Sequence, residues 1–193
     1  MKQLIATACL AVLVFAPALR AEEKKALKVG DTAPTFEATD DQGKAFKSAD
    51  VVGKKVLVVY FYPADLTGGC TKQACGFRDN MSALSDKGVE VVGVSGDSVE
   101  NHKIFKKDRN LNFTLLADEK GEVAKLFGVP FTAGPTVAKV TDTAGNKLEL
   151  TRGGTAKRWT FVIDKSGKIA YKDEKVNAAE DAKKILEAVE KLK

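Results

Sequence analysis

Two cysteines five residues apart, Cys70 and Cys75, end the stretch Tyr60-Phe61-Tyr62-Pro63-Ala64-Asp65-Leu66-Thr67-Gly68-Gly69-Cys70-Thr71-Lys72-Gln73-Ala74-Cys75. A thiolate can serve as a nucleophile, a metal ligand or half of a disulfide, and its surroundings decide which. Val56 to Tyr62 is an unbroken β-branched and aromatic run, the pattern of a strand buried on both faces, and Pro63 ends it. Thr71 to Lys87 then carries apolar residues at helical spacing (Ala74, Phe77, Met81, Leu84), with Gly88 as its stop. Cys70 is thereby expected at the start of a helix that follows a buried strand, where ligands collect in open α/β sheets. Free backbone N–H groups and the positive end of the helix dipole favour thiolate over thiol there. Gly68 and Gly69 let the backbone approach a small ligand, and the Thr67 hydroxyl can donate to a ligand oxygen or accept from it. The alternative is a helix-start cysteine that merely packs.

The spacing of the pair narrows the choice. Across five helical residues the chain rises about 7.5 Å and turns about 140° past one circle, so the two Cα atoms lie about 8–9 Å apart. A disulfide needs about 4.4–6.8 Å. The bond therefore requires the first turn to unwind, which suits a pair that cycles between thiol and disulfide better than a permanent staple. Two unrelated thiols, with Cys75 in the core, remain the alternative. Zinc fits poorly, because two thiols and one distant histidine, His102, do not complete a site. No C-x-x-C is present, which disfavours an ordinary dithiol exchanger. One chemistry uses such a pair well: the thiolate takes an oxygen from a peroxide, and the resulting sulfenic acid condenses with the second thiol. The leaving oxygen needs donors or positive charge, best supplied by a guanidinium.

The elements that must hold these groups read in order along the chain. Phe36–Thr39 and Ala45-Phe46 form a hairpin about Asp40-Asp41-Gln42-Gly43, and Val89–Val94 is a second buried strand. Ser98–Asp108 reads as a helix, Thr114–Leu116 as a strand, and Glu119–Phe127 as a helix ended by Gly128. Val129–Lys157, rich in Gly, Thr and Pro, holds one hairpin, Val137–Thr141 with Leu148–Thr151. Trp159–Ile163 and Ile169–Tyr171 pair across Asp164-Lys165-Ser166-Gly167, and Ala178–Lys193 closes the chain as a helix with Ile185, Val189 and Leu192 on one face. Strands alternating with helices, then an antiparallel hairpin, imply an α/β fold with a mixed central β-sheet flanked by helices on both faces.

Composition agrees with one globular domain: 193 residues, 44% hydrophobic and 30% charged. The net charge of +5 is spread among interleaved acids and bases, with no basic run and no basic–aromatic array, so no nucleic-acid partner is expected. Residues 1–21 read as a signal peptide, with Lys2 before the apolar Leu4–Leu19 and small residues at Ala16, Ala18 and Ala21 suiting cleavage after Ala18 or Ala21. An uncleaved anchor is the alternative, but the run is shorter than the ~20 residues that span a bilayer. Cleavage would lower the charge from +5 to +3, remove Cys9 and leave Cys70 and Cys75 alone in an oxidising compartment, periplasmic or extracellular. The expected mature domain is 22–193, with no stable membrane association.

The motif Pro63-x-x-x-Thr67-x-x-Cys70 resembles the P-x-x-x-T-x-x-C signature of peroxiredoxins of the AhpC/TSA superfamily, and Gly69 to Asp79 resembles their bacterioferritin-comigratory (PrxQ-like) branch. Softer matches run from about residue 28 to 190, among them Ser95-Gly96-Asp97-Ser98, Leu115-Leu116-Ala117-Asp118 and Arg158-Trp159-Thr160-Phe161-Val162-Ile163-Asp164. The resemblance implies a thioredoxin-like fold with an N-terminal hairpin extension. Cys70 would be the peroxidatic nucleophile, Cys75 the resolving thiol, Thr67 a hydrogen-bond partner of the peroxide and Pro63 a shield against water. Arg158, which on its own reads as a surface cation at a strand start, would stabilise thiolate and transition state. The substrate would be hydrogen peroxide or a small organic hydroperoxide, the reductant a thioredoxin-like protein, the cofactor none, and the assembly a monomer or weak homodimer. A thiol–disulfide exchange protein of the same fold, also exported, is the competing reading, and a non-enzymatic binding module a third. Three features depart from the pattern: Gly68 where proline is frequent, Gln73 where glutamate is frequent, and a long segment from Val129 to Lys157. His102 is expected in a surface or packing role, Tyr60 and Tyr62 as core or pocket wall, and Arg78 and Asp79 as structural.

Overall fold

A computed structural model of the protein describes residues 27–192; the expected signal peptide and Lys193 lie outside the described residues. The elements are β1 (Glu37–Asp40), β2 (Ala45–Lys47), β3 (Val56–Phe61), α1 (Gly68–Asp86), β4 (Val89–Ser95), α2 (Val99–Arg109), β5 (Thr114–Ala117), α3 (Glu122–Phe127), β6 (Phe131–Thr141), β7 (Lys147–Ala156), β8 (Trp159–Ile163), β9 (Ile169–Asp173) and α4 (Asp181–Glu190). Seven strands form one sheet in the order β2-β1-β5-β4-β3-β8-β9. β3, β4 and β5 run parallel, while β8 joins β3 antiparallel and extends through β9. The sheet is mixed, as the order of elements predicts.

β3 is the spine, with every residue buried. Its alternation sends Val58 and Tyr60, and Tyr62 just beyond, to one face, and Leu57, Val59 and Phe61 to the other. On the first face they meet Phe77 and Leu84 of α1, Phe105 of α2 and Ile185 and Val189 of α4. On the second they meet Val123 and Phe127 of α3, with Trp159 and Phe161 of β8. Leu192, expected on the packed face of α4, lies past the helix end and is exposed. Among the described residues no helix is long and apolar enough to cross a membrane.

The segment from Val129 to Lys157 is where structure exceeds expectation. The short hairpin is the tip of a ribbon of 11 and 10 residues, β6 and β7, forming its own two-stranded sheet. The pattern hid its base because Gly134-Pro135 falls at a register shift between Ala133 and Thr136, and Gly153-Gly154 carries no side chains to alternate. Val140 and Leu150 anchor the ribbon to the core, and Asn101 Nδ2 donates to the Thr151 carbonyl at 2.9 Å. At its base a Cβ on Gly96 would stand 2.2 Å from the Gly154 carbonyl oxygen. Gly96→Ala is therefore expected to lower stability by about 1–3 kcal/mol through this backbone contact, seen as a reduced urea midpoint with an unchanged m-value.

Candidate active site

The chain leaves β3 at Phe61 and reaches α1 through six residues, Tyr62–Thr67, whose conformation sets the site. Pro63 is half-buried, whereas Ala64, Asp65 and Leu66 are buried. Leu66 holds φ = 58°, a left-handed conformation costly for a branched side chain, while its side chain packs in the core. That turn places Thr67 as the N-cap of α1, whose first residue, Gly68, lies three residues ahead of the Thr71 start that periodicity predicts. The apolar pattern could not show the extension, because Gly68 and Gly69 are exposed. Cys70 accordingly occupies the first turn and is 2% exposed. Cys75 is half-buried in the same unbroken helix, and both thiols are free, as the spacing requires of the reduced pair.

Arg158 arrives from across the sheet. It stands just before β8, whose antiparallel register with β3 pairs Trp159 with Phe61. Its Nη2 donates to Cys70 Sγ at 3.2 Å, and its Nη1 donates to Gln73 Oε1. A Cβ on Gly69 would lie 3.4 Å from Nη2, an ordinary contact, and one on Gly68 would meet nothing within 4 Å. The Thr67 hydroxyl donates to the Ala64 carbonyl at 2.9 Å, which leaves its oxygen lone pairs for an incoming O–H. Pro63, Thr67, Cys70 and Arg158 thus gather at one end of β3, with Cys75 one and a half turns further along α1.

Behind these residues stand groups to which sequence reasoning assigned no role in the site. Gln73 is fully buried and donates through Nε2 to Asp181 Oδ2 at 2.6 Å, which also accepts from Thr160 Oγ1 at 2.8 Å. Burial pushes the Asp181 carboxyl above the usual range, and the bonds from Gln73 and Thr160 partly pull it back. His102, expected in a surface or packing role, is fully buried, with Nδ1 2.7 Å from Asp65 Oδ2. Asp65 also accepts from the Tyr62 hydroxyl at 2.7 Å, and its backbone N–H donates to Asp97 Oδ2 at 3.0 Å. This network pins the loop that carries Thr67 to α2 and to the end of β4. A lone histidine and two scattered aspartates give no periodic or spacing signal, so nothing in the sequence marked it. Tyr60 and Tyr62 are core as expected, their rings stacked at 5.3 Å, with Tyr60 on Phe77 at 4.8 Å. Burial raises both phenols well above their ordinary value, so they stay protonated. Arg78 pairs with Asp79 at 2.8 Å and donates to the Arg109 carbonyl at 2.6 Å, tying α1 to the end of α2.

The AhpC/TSA family model matches residues 29–172. Peroxiredoxin Q, chloroplastic, of Oryza sativa subsp. japonica is 44% identical over 142 residues, covering 74% of this chain and 57% of that protein. Peroxiredoxin Bcp of Escherichia coli (strain K12) is 50% identical over 103 residues, covering 53% of this chain and 65% of that protein. The chain therefore spans less than two thirds of the length of either relative. The crystal structure of peroxidoxin BcpB from Mycobacterium tuberculosis superimposes with a TM-score of 0.70 at 30% identity, covering 86% of this chain and 99% of that one. The fold is thioredoxin-like, and the chain belongs to the AhpC/TSA family.

The Asp65–His102 pair makes stability depend on pH. Burial lowers the imidazole's proton affinity, but the Asp65 charge and hydrogen bond outweigh it, leaving the His102 pKa above 6.5. A raised folded-state pKa contributes stability that is complete below the unfolded value and is lost as pH rises through the folded one. His102→Phe, which strands a buried carboxylate, is expected to cost about 3–5 kcal/mol at pH 6. The gap from wild type should narrow on the alkaline side; denaturant titrations across pH check both the size and the slope.

Proposed function

We propose that the protein is a thiol-dependent peroxidase that reduces hydrogen peroxide and small organic hydroperoxides. The observation that carries the reading is the Arg158 guanidinium donating to Cys70 Sγ at 3.2 Å in the first turn of α1. A permanent cation thus stands at a buried sulfur in the first turn of a helix, in place to meet negative charge as it develops during reaction. The thiolate attacks one peroxide oxygen; the S–O bond forms as the O–O bond breaks, and the leaving hydroxide or alkoxide takes a proton from solvent. Arg158 lies where that negative charge develops, and Thr67, its own proton committed to Ala64, accepts from the peroxide O–H. Pro63, half-buried in the same loop, limits water at the sulfur.

Cys70 sulfenic acid then condenses with the Cys75 thiol, releasing water and forming the disulfide. A thioredoxin-like dithiol protein supplies the two electrons that regenerate both thiols. Support for this order comes from the positions of the thiols: Cys70 is buried and accepts from the guanidinium, whereas Cys75 is half-buried and, among the described residues, accepts no hydrogen bond from a cation. We place the enzyme outside the cytoplasm on the strength of the apolar Leu4–Leu19 behind Lys2. Intact mass of the protein from the exported fraction checks this: a chain beginning after Ala18 or Ala21 supports it, and a full-length cytoplasmic chain refutes it.

Cys70→Ser is expected to abolish peroxide consumption, whereas Cys75→Ser consumes one equivalent and stops as a sulfenic acid, visible by mass spectrometry after dimedone trapping. Equal loss of that first round in both variants would reverse the assignment, and rapid disulfide exchange with protein thiols but no peroxide consumption would favour the exchange reading. Arg158→Met should lower kcat/KM for peroxide by about 100-fold or more, since one donor to a developing anion is worth about 2.7–4 kcal/mol. Arg158→Lys, which keeps charge but loses the planar fork that reaches both Cys70 and Gln73, is expected to recover only part of that loss in the same stopped-flow assay.

A further inference from the structure

The resolving step must dismantle a set of hydrogen bonds that the sulfur chemistry itself does not use. Gln73 lies between the two cysteines, so the unwinding that joins them cannot leave its side chain in place. That side chain is fully buried and spans two partners on other elements, Arg158 before β8 and Asp181 at the first residue of α4. Asp181 Oδ2 accepts from both Gln73 Nε2 and Thr160 Oγ1, while Oδ1 is buried without a partner. A carboxylate is acceptor-only, so it fixes the amide: the NH2 of Gln73 faces Asp181 and its carbonyl faces Arg158. The neutral amide thereby relays position from the buried acid to the guanidinium without neutralising it.

Building on the peroxidase reading, we propose that Asp181 is a positioning residue that acts through Gln73 as a latch. Gripped, it keeps the first turns of α1 folded and Arg158 against Cys70 while peroxide reacts. Released, it lets α1 unwind so that Cys75 reaches the sulfenic acid, the S–S bond forms and water leaves. The latch therefore sets the balance between two fates of the sulfenic acid: condensation with Cys75, or further oxidation by a second peroxide to sulfinic acid. A tighter grip slows condensation and exposes Cys70 to that second oxidation; a looser grip does the opposite and weakens the first step.

The amide tells the latch apart from mere packing. Gln73→Glu places a carboxylate on the Asp181 carboxylate, removing the grip while leaving Arg158 a partner. Adding Asp181→Asn to it restores a donor and acceptor pair at the same place, with Asn Nδ2 donating to the new glutamate. Alkylation and mass spectrometry of quenched time points, after one equivalent of peroxide, count sulfenic acid and disulfide separately. Gln73→Glu should close the disulfide about tenfold faster than wild type, as expected for loss of one hydrogen bond to a charged group, and should oxidise Cys70 more slowly. It should also collect less sulfinic acid at high peroxide. The double variant should return closure toward the wild-type rate. Asp181→Asn alone keeps a weaker acceptor, so it should shift closure the same way by less, and it carries the test if Gln73→Glu fails to fold. Closure unchanged or slower in both single variants, or a double variant no nearer to wild type than Gln73→Glu, overturns the latch. A wild-type protein that never forms sulfenic acid overturns the peroxidase reading instead.

Discussion

The site depends on one contact made across the sheet, the Arg158 guanidinium against the Cys70 sulfur at 3.2 Å. The two residues lie far apart in sequence, and neither could hold the other alone. β3 delivers the loop and the helix start, while β8 delivers the arginine, and their antiparallel pairing from Leu57–Ile163 to Phe61–Trp159 sets the spacing. A one-residue slip in that register would turn Arg158 to the other face of the sheet. The register is in turn enforced by burial, because every residue of β3 and of β8 is buried. A sequence that spends its most apolar strands on this pairing is also securing the geometry of a polar contact at its end.

What could be read from sequence follows the range over which each signal acts. Periodicity and turn residues found the strands, the helices and the final hairpin, since each is a local pattern. The motif around Pro63, Thr67 and Cys70 was legible for the same reason, as a run in one loop and one helix start. Arg158 was legible only through resemblance to a family; its own neighbourhood described a cation at a strand start. Gln73 was marked only as a departure from the family pattern, and Asp65, His102 and Asp181 carried no signal of their role. Their partners lie 37 and 108 residues apart, and a polar side chain looks the same whether it faces water or a buried acceptor. The ribbon β6–β7 escaped at its base because glycine and proline interrupt the alternation that would have announced it.

The proposed cycle makes opposite demands on one helix. Attack on peroxide wants α1 folded at its start, because Arg158 reaches only a sulfur held there. Resolution wants the same turns gone. These demands are compatible if the helix is weak at its start and strong beyond. Gly68, Gly69 and Thr71 are poor helix formers, and Gly76 sits where an alanine would favour the helix by about 1 kcal/mol. Directly after it comes Phe77, fully buried and stacked on Tyr60 at 4.8 Å.

Phe77 therefore bounds the opening. Unwinding through Cys75 costs the burial of Cys70, Gln73 and Ala74 and a handful of backbone hydrogen bonds, each worth about 1 kcal/mol net. Unwinding through Phe77 would add an aromatic side chain worth about 3–5 kcal/mol and leave a cavity against Tyr60. Local openings cost less than global unfolding when they stop short of the core, and this boundary falls one residue past Gly76. The helix is thus divided by its own sequence into a part that can come undone and a part that holds the domain together. Cys75, which resolves the sulfenic acid in the proposed cycle, is placed on the last turn of the first part, near enough to Cys70 along the chain that nothing beyond Gly76 needs to move.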